Sequence, residues 1–227
     1  MNGPRFFTTV PVPGVVILII LLGLGFVSGR QLAEDNRLPA PVVLVDPGHG
    51  GMDGGCGGRT APILEKDLNL RVGKSLAQKL EYFGLRVGLT RQDDRHLGPT
   101  HRRDLLARVE QAQRIRANLV VCLHADWSWK TKRSGPCVFY HHRSGPSRIL
   151  AEMVQIELNR VAGTAGQALP ARNLLVIREV NRPAILVEMG FLSNPAEAAR
   201  LAEDAYRQEI AEAIAVGMVK FLLTTRR

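Results

Sequence analysis

The 227-residue chain sets 30 Lys and Arg against 21 Asp and Glu, for a net charge of +9, and has only three cysteines. Cys56, Cys122 and Cys137 are an odd number with no C-x-x-C spacing, which excludes a disulfide framework and leaves room for a single Cys56–Cys137 bridge. Once the N-terminal apolar segment is set aside, the remaining length suits one domain with a proper core and is too short for two comfortable ones.

The first 29 residues carry one charged side chain, Arg5, and an apolar stretch from Val10 to Val27. About 18 residues is the lower limit for spanning a bilayer, and Val27-Ser28-Gly29 offers small residues at which a signal peptidase can cut. Residues 1–29 are therefore expected to be a signal peptide or a membrane anchor, residues 30–41 a tether, and residues 42–227 the working domain of an exported protein. With +8 left beyond residue 29, the anionic cell wall and membrane surface are the expected partners. Nucleic acid is not, since an exported chain meets little of it and neither an aromatic platform nor a helix-turn-helix to read it with is visible. The basic stretches Thr100–Asp104 and Trp129–Arg133 read as solvated faces. No internal repeat or low-complexity tract stands out, so recognition is expected from the domain itself.

Val42 to Val45 is a continuous apolar run, the pattern of a strand buried on both faces, and Pro47 ends it. Leu68, Val72, Leu76, Leu80 and Phe83 make one apolar helical face, closed by Gly84. A strand is expected over Leu85–Leu89, then a helix over residues 102–116 with Leu105, Leu106, Val109 and Ala112 inward. Strands follow at Leu119–Leu123 and Cys137–Tyr140, then a helix over 148–161 striped by Leu150, Val154 and Leu158. Leu174–Ile177 and Ala184–Val187 are expected strands, and residues 205–223 a last helix burying Ile210, Ile214, Met218 and Leu222. This alternation predicts a single α/β domain: a largely parallel, twisted sheet of about six strands flanked by helices on both faces.

Three of these strands end on chemistry. His49 follows the first, in Asp46-Pro47-Gly48-His49-Gly50-Gly51, where the glycines leave the imidazole open to a ligand. His124 closes the strand through Leu123, and Glu188 the strand through Val187. If the strands run parallel, all three project from one sheet edge, where open α/β sheets hold their sites. Glu65 supplies a second carboxylate. Two histidines and one carboxylate, with a further carboxylate free, is the count of a catalytic zinc site, which uses three protein ligands and keeps a fourth position for water. Asp46 is expected to orient His49 or to cap the glycine turn, and Asp53 to act in the same loop. Cys122 shares a strand face with His124 and reads as a small buried hydrophobe. His96, His101, His141 and His142 are assigned to loops or faces, with His141 and His142 placed to line a groove.

The ordered motifs Val45–Gly51, Glu65–Leu70, Leu123–Ala125 and Pro183–Asn194 resemble those of the zinc-dependent N-acetylmuramoyl-L-alanine amidases. These cell-wall hydrolases cut the amide between the lactyl group of muramic acid and the L-alanine of the stem peptide. The resemblance runs from about Val42 to Phe221 and implies that His49, Glu65 and His124 hold Zn2+ and that Glu188 is the catalytic acid/base. Asp126 stands where relatives usually have asparagine and Cys122 where serine is common. Asp126 is expected to raise the pKa of Glu188 or to act behind the ligands. Arg91 and Arg178 are candidates for binding the acidic stem peptide. The single-domain layout is similar to that of the spore-cortex amidases, which implies a role in sporulation and germination, and some relatives imply an activating lipoprotein. Two other readings stay open: a zinc peptidase cutting within the stem peptide, and a murein-binding protein without catalysis, against which Glu188 argues.

Overall fold

The computed structural model describes residues 39–56 and 63–225. Six strands, β1 (Val42–Pro47), β2 (Arg86–Leu89), β3 (Leu119–Asp126), β4 (Cys137–His141), β5 (Leu169–Ala171) and β6 (Ala184–Phe191), form one sheet in the order β2-β1-β3-β6-β4-β5. β2, β1, β3 and β6 run parallel. β4 is antiparallel to β6, and β5 is parallel to β4. The helices are α1 (Glu65–Tyr82), α2 (His101–Arg114), α3 (Gly145–Ala162), α4 (Leu175–Glu179), α5 (Pro195–Ala202) and α6 (Asp204–Thr225).

The strands are apolar throughout because helices cover both faces of the sheet. Val43, Val45, Val121, Leu123 and Val187 pack with Leu68, Val72, Leu76 and Leu80 of α1, Leu150, Val154 and Leu158 of α3, and Ile210, Ile214 and Met218 of α6. The alternate residues Leu44, Val120, Cys122 and Leu186 face the other layer, where Val109 and Ala112 of α2 meet Val176 and Ile177 of α4. Each such Leu, Ile or Val contributes on the order of 1.5–3 kcal/mol by leaving water. The helices start where their caps dictate. Thr100 accepts from the Arg103 amide at 3.3 Å and Ser144 from the Ser147 amide at 3.2 Å, each satisfying an orphan N–H of the first turn.

Two expectations are corrected. Leu174–Ile177 is not a strand; Leu175–Glu179 forms the helical turn α4, and the fifth strand lies earlier, at Leu169–Ala171. A four-residue apolar run has no period long enough to separate the two forms, and Pro170 suits an edge strand. Helix α5 was not anticipated, although Asn194 accepts from the Ala196 amide at 3.0 Å and Pro195 opens the first turn, both recognisable start signals. Cys56, Cys122 and Cys137 are all free thiols, so the Cys56–Cys137 bridge is not formed. The apolar segment Val10–Val27 lies outside the described residues, and no described helix is long and apolar enough to cross a membrane.

Candidate metal centre

The order β1-β3-β6 puts three parallel strand ends side by side, and His124 pairs in register with Glu188. The glycine turn after β1 delivers His49 to the same edge, and α1 begins there with Glu65, so four residues far apart in sequence converge. His49 Nε2 and His124 Nδ1 each lie 3.0 Å from Glu65 Oε1. The imidazoles meet edge to face, with centroids 4.8 Å apart. One ligand atom from each of His49, Glu65 and His124 falls within 4.8 Å of the others, so this cluster could hold a metal ion.

Backbone and polar neighbours fix these atoms. Glu65 is buried and accepts from the Cys56 amide at 2.6 Å and the Ala125 amide at 3.2 Å. His49 Nδ1 lies 2.8 Å from Asp53 Oδ2; donating there leaves Nε2 to face the cluster. Burial alone would lower the His49 pKa, but the hydrogen bonds and charges of Glu65 and Asp53 outweigh it and lift the imidazole to about 9. Burial works to raise Glu65, yet the two histidines hold its carboxyl well below the usual range. Two imidazoles closing on one buried carboxylate oxygen are a donor set and charge that suit a metal cation. Glycine is required close by: a Cβ on Gly48 would run into the His124 ring, and one on Gly55, at φ 68°, into Glu65 and His49.

His49 itself has φ 62°, a left-handed conformation that costs a non-glycine residue roughly 1–2 kcal/mol. Two buried arginines hold the turn. Arg108 donates to the carbonyls of Pro47 at 3.0 Å and His49 at 2.9 Å, and pairs with Asp46 at 2.6 Å and Asp104 at 2.8 Å. Arg91 donates to the carbonyls of Pro47, Gly48 and Lys66 at 3.0, 3.0 and 2.7 Å. Both arginines are 1% exposed, so Arg91 is not available to a substrate peptide. Asp46 is likewise corrected. Its carboxylate accepts from Thr90 and Arg108, both at 2.6 Å, and does not reach the His49 ring. Asp53 takes that position, and His96 supports it by accepting from the Asp53 amide at 2.9 Å.

Glu188 stands apart from this network. Its Oε2 is buried and has no hydrogen-bond partner among the described residues. Desolvation, reinforced by the nearby charges of Glu65 and Asp126, raises its pKa to about 7 against the pull of the two histidines. Asp126 itself accepts from the Trp127 amide at 2.7 Å, so it acts on Glu188 by charge. A small cavity of about 50 Å³ beside His49 and His124 is lined also by Asp53 and His101.

Arg178 and His141 lie elsewhere. They line a 450 Å³ groove with Arg143, Arg182 and Pro183, at the amino end of β6. β4 runs antiparallel to β6, so His141 and His142 at its close are carried to the edge opposite Glu188. Cys122 is buried among Leu44, Val120 and Leu186. Arg108 went unnoticed in the sequence, where nothing separates a buried arginine from a surface one.

A family model described as N-acetylmuramoyl-L-alanine amidase matches residues 43–220. The chain is 31% identical over 219 residues to the germination-specific N-acetylmuramoyl-L-alanine amidase of Bacillus subtilis, covering 92% of this chain and 91% of that one. It is 28% identical to the probable cell wall amidase LytH of Staphylococcus aureus, over 82% of this chain and 60% of that one. The CwlD amidase of Clostridioides difficile, solved in complex with the GerS lipoprotein, superposes with a TM-score of 0.78 at 32% identity, over 81% of this chain and 99% of that one. The catalytic domain of CwlV from Bacillus (Paenibacillus) polymyxa gives 0.73 at 32% identity, over 80% and 98%. Fold, matched length and the convergence of four motifs on one sheet edge agree: the chain belongs to the N-acetylmuramoyl-L-alanine amidase family of peptidoglycan hydrolases.

Proposed function

We propose that this protein is a zinc amidase that hydrolyses the bond between N-acetylmuramic acid and the L-alanine of the stem peptide, with His49, Glu65 and His124 as ligands and Glu188 as acid/base. The observation that carries this reading is the unpartnered Glu188 Oε2 beside a converged His-Glu-His cluster. Two imidazole nitrogens and one carboxylate oxygen suit zinc, and an orphaned buried carboxylate oxygen suits a site that admits a further polar group. Zinc, when bound, supplies a Lewis acid that polarises the amide carbonyl and brings the pKa of a bound water towards about 7.

The remaining chemistry belongs to the chain. Glu188, with a pKa near neutrality, takes a proton at Oε2 from the attacking water and passes it to the alanine nitrogen, which leaves as an amine and not as a poor-leaving amide anion. Asp53 holds His49 in the tautomer that leaves Nε2 free. Arg108 and Arg91 hold the turn that places it.

The Bacillus subtilis relative supports action on spore peptidoglycan in germination, and the cell wall amidases support work outside the cytoplasm, with the N-terminal apolar segment as anchor or export signal. The Clostridioides difficile complex supports a lipoprotein partner. The test is digestion of purified vegetative and spore-cortex peptidoglycan with and without zinc, read by mass spectrometry. Stem peptides beginning with a free L-alanine amine, formed only with zinc, are expected. Cuts inside the stem would overturn the reading in favour of a peptidase.

A further inference from the structure

The link from β3 to β4 has to pass over the carboxyl end of β6, because β6 lies between those strands. It therefore straps the edge that carries His124 and Glu188. The strap bears the only two tryptophans of the chain. Trp129 is 86% exposed and Trp127 38%, and their rings pack edge to face at 4.4 Å. The strap is held in place: the Ser128 amide donates to Ser193 Oγ at 2.9 Å, and Asn194 Nδ2 donates to the Arg133 carbonyl at 3.1 Å. The strap continues with Lys130, Lys132 and Arg133, the last with its guanidinium over Phe191 at 5.3 Å.

Leaving an indole in water forgoes a large burial, so a pair of them held on the strap across this sheet edge is a candidate docking surface. We propose that Trp127 and Trp129 form a platform for the glycan strand of peptidoglycan, the indole faces taking the apolar C–H face of a sugar ring while Lys130 and Lys132 meet carboxylates of the polymer. This rests on the amidase reading for the identity of the polymer. A rigid aromatic pair binds at low entropic cost, and cations beside it complement an acidic stem peptide. Tryptophan with lysine also occurs at membrane interfaces, but here the two rings are followed by Lys130-Thr131-Lys132-Arg133-Ser134, so the strap itself offers a bilayer no apolar residue beyond the pair.

Because both tryptophans sit in the strap, the fluorescence of the full chain reports on it directly. Peptide-free glycan strands are expected to change the emission saturably. Trp129→Ala is expected to weaken co-sedimentation with intact peptidoglycan about tenfold, a typical loss for an aromatic anchor, with Trp129→Tyr recovering most of it. No emission change with glycan strands, unaltered co-sedimentation of Trp129→Ala, or a response confined to anionic phospholipid vesicles would overturn the platform. Peptidoglycan hydrolysis measured in parallel separates the two ideas. Hydrolysis without a fluorescence response sinks the platform alone, and a response without hydrolysis supports the platform while the amidase reading fails.

Discussion

Arg108 donates from Nη2 to the backbone carbonyl of His49 at 2.9 Å, from a side chain that is 2% exposed. The same guanidinium neutralises Asp46 and Asp104, so the positioning of the first histidine and the burial of two carboxylates depend on one group. Asp46 is buried, which works to raise its pKa, yet the charge and hydrogen bonds of Arg108 and the Thr90 hydroxyl hold it below the ordinary value.

Arg108→Met should therefore destabilise the domain by about 3–5 kcal/mol, since it leaves two buried carboxylates without their cation. Urea denaturation at neutral pH checks this. The penalty should shrink in acid. A depressed carboxylate contributes stability above its unfolded pKa of 3.8 and loses it as pH falls through the lower folded value.

Glu188→Gln should retain metal and lose hydrolysis by about 10²–10⁴-fold, the usual worth of a positioned acid/base. Metal content and turnover on peptidoglycan, measured on the same preparation, check both halves. In the parent enzyme the rate should rise with pH as Glu188 ionises, at a pH set by burial, which raises its pKa, against the charge of a bound cation, which lowers it, and any residual rate of the variant should lack that limb. Near-normal turnover of the variant would remove the role assigned to Glu188.

The same substitution should stabilise the metal-free protein. A carboxyl raised from 4.5 to about 7 by burial disfavours folding once the unfolded chain ionises, so the cost is absent below about pH 4.5 and complete above about pH 7. Removing it should add on the order of 3 kcal/mol at pH 8 and nothing at pH 4. Thermal melts at the two pH values decide it.

Metal binding should release protons. With His49 held at about 9 by Glu65 and Asp53, the imidazole is charged at neutral pH and has to lose its proton to become a ligand. About one proton per metal is expected near pH 7, and the affinity should fall about tenfold for each pH unit below about 9. Calorimetry in buffers of different ionisation enthalpy measures the release. His49→Ala and His124→Ala should each lose both metal and hydrolysis.

The layered α/β architecture is legible in the residues, because strands covered on both faces must be continuously apolar and α1 must repeat Leu68, Val72, Leu76 and Leu80 at helical spacing. The sequence also pointed His49, His124 and Glu188 to one sheet edge, although His124 and Glu188 do not end their strands: β3 runs on to Asp126 and β6 to Phe191, because backbone pairing continues past a polar side chain. Leu174–Ile177 reads equally as strand or helix because four apolar residues carry no period, and contact of Val176 and Ile177 with α2's layer goes with the helical turn. What surrounds the cluster was decided by tertiary structure alone. Arg108 and the Asp46 carboxylate it neutralises are 62 residues apart, and Arg91 lies 43 from the Gly48 carbonyl it holds. No local pattern marks an arginine as buried, so their task follows only from the fold that encloses them. Arg178 and His141 show the converse: the antiparallel course of β4 carries His141 to the far edge, which the residues themselves do not encode.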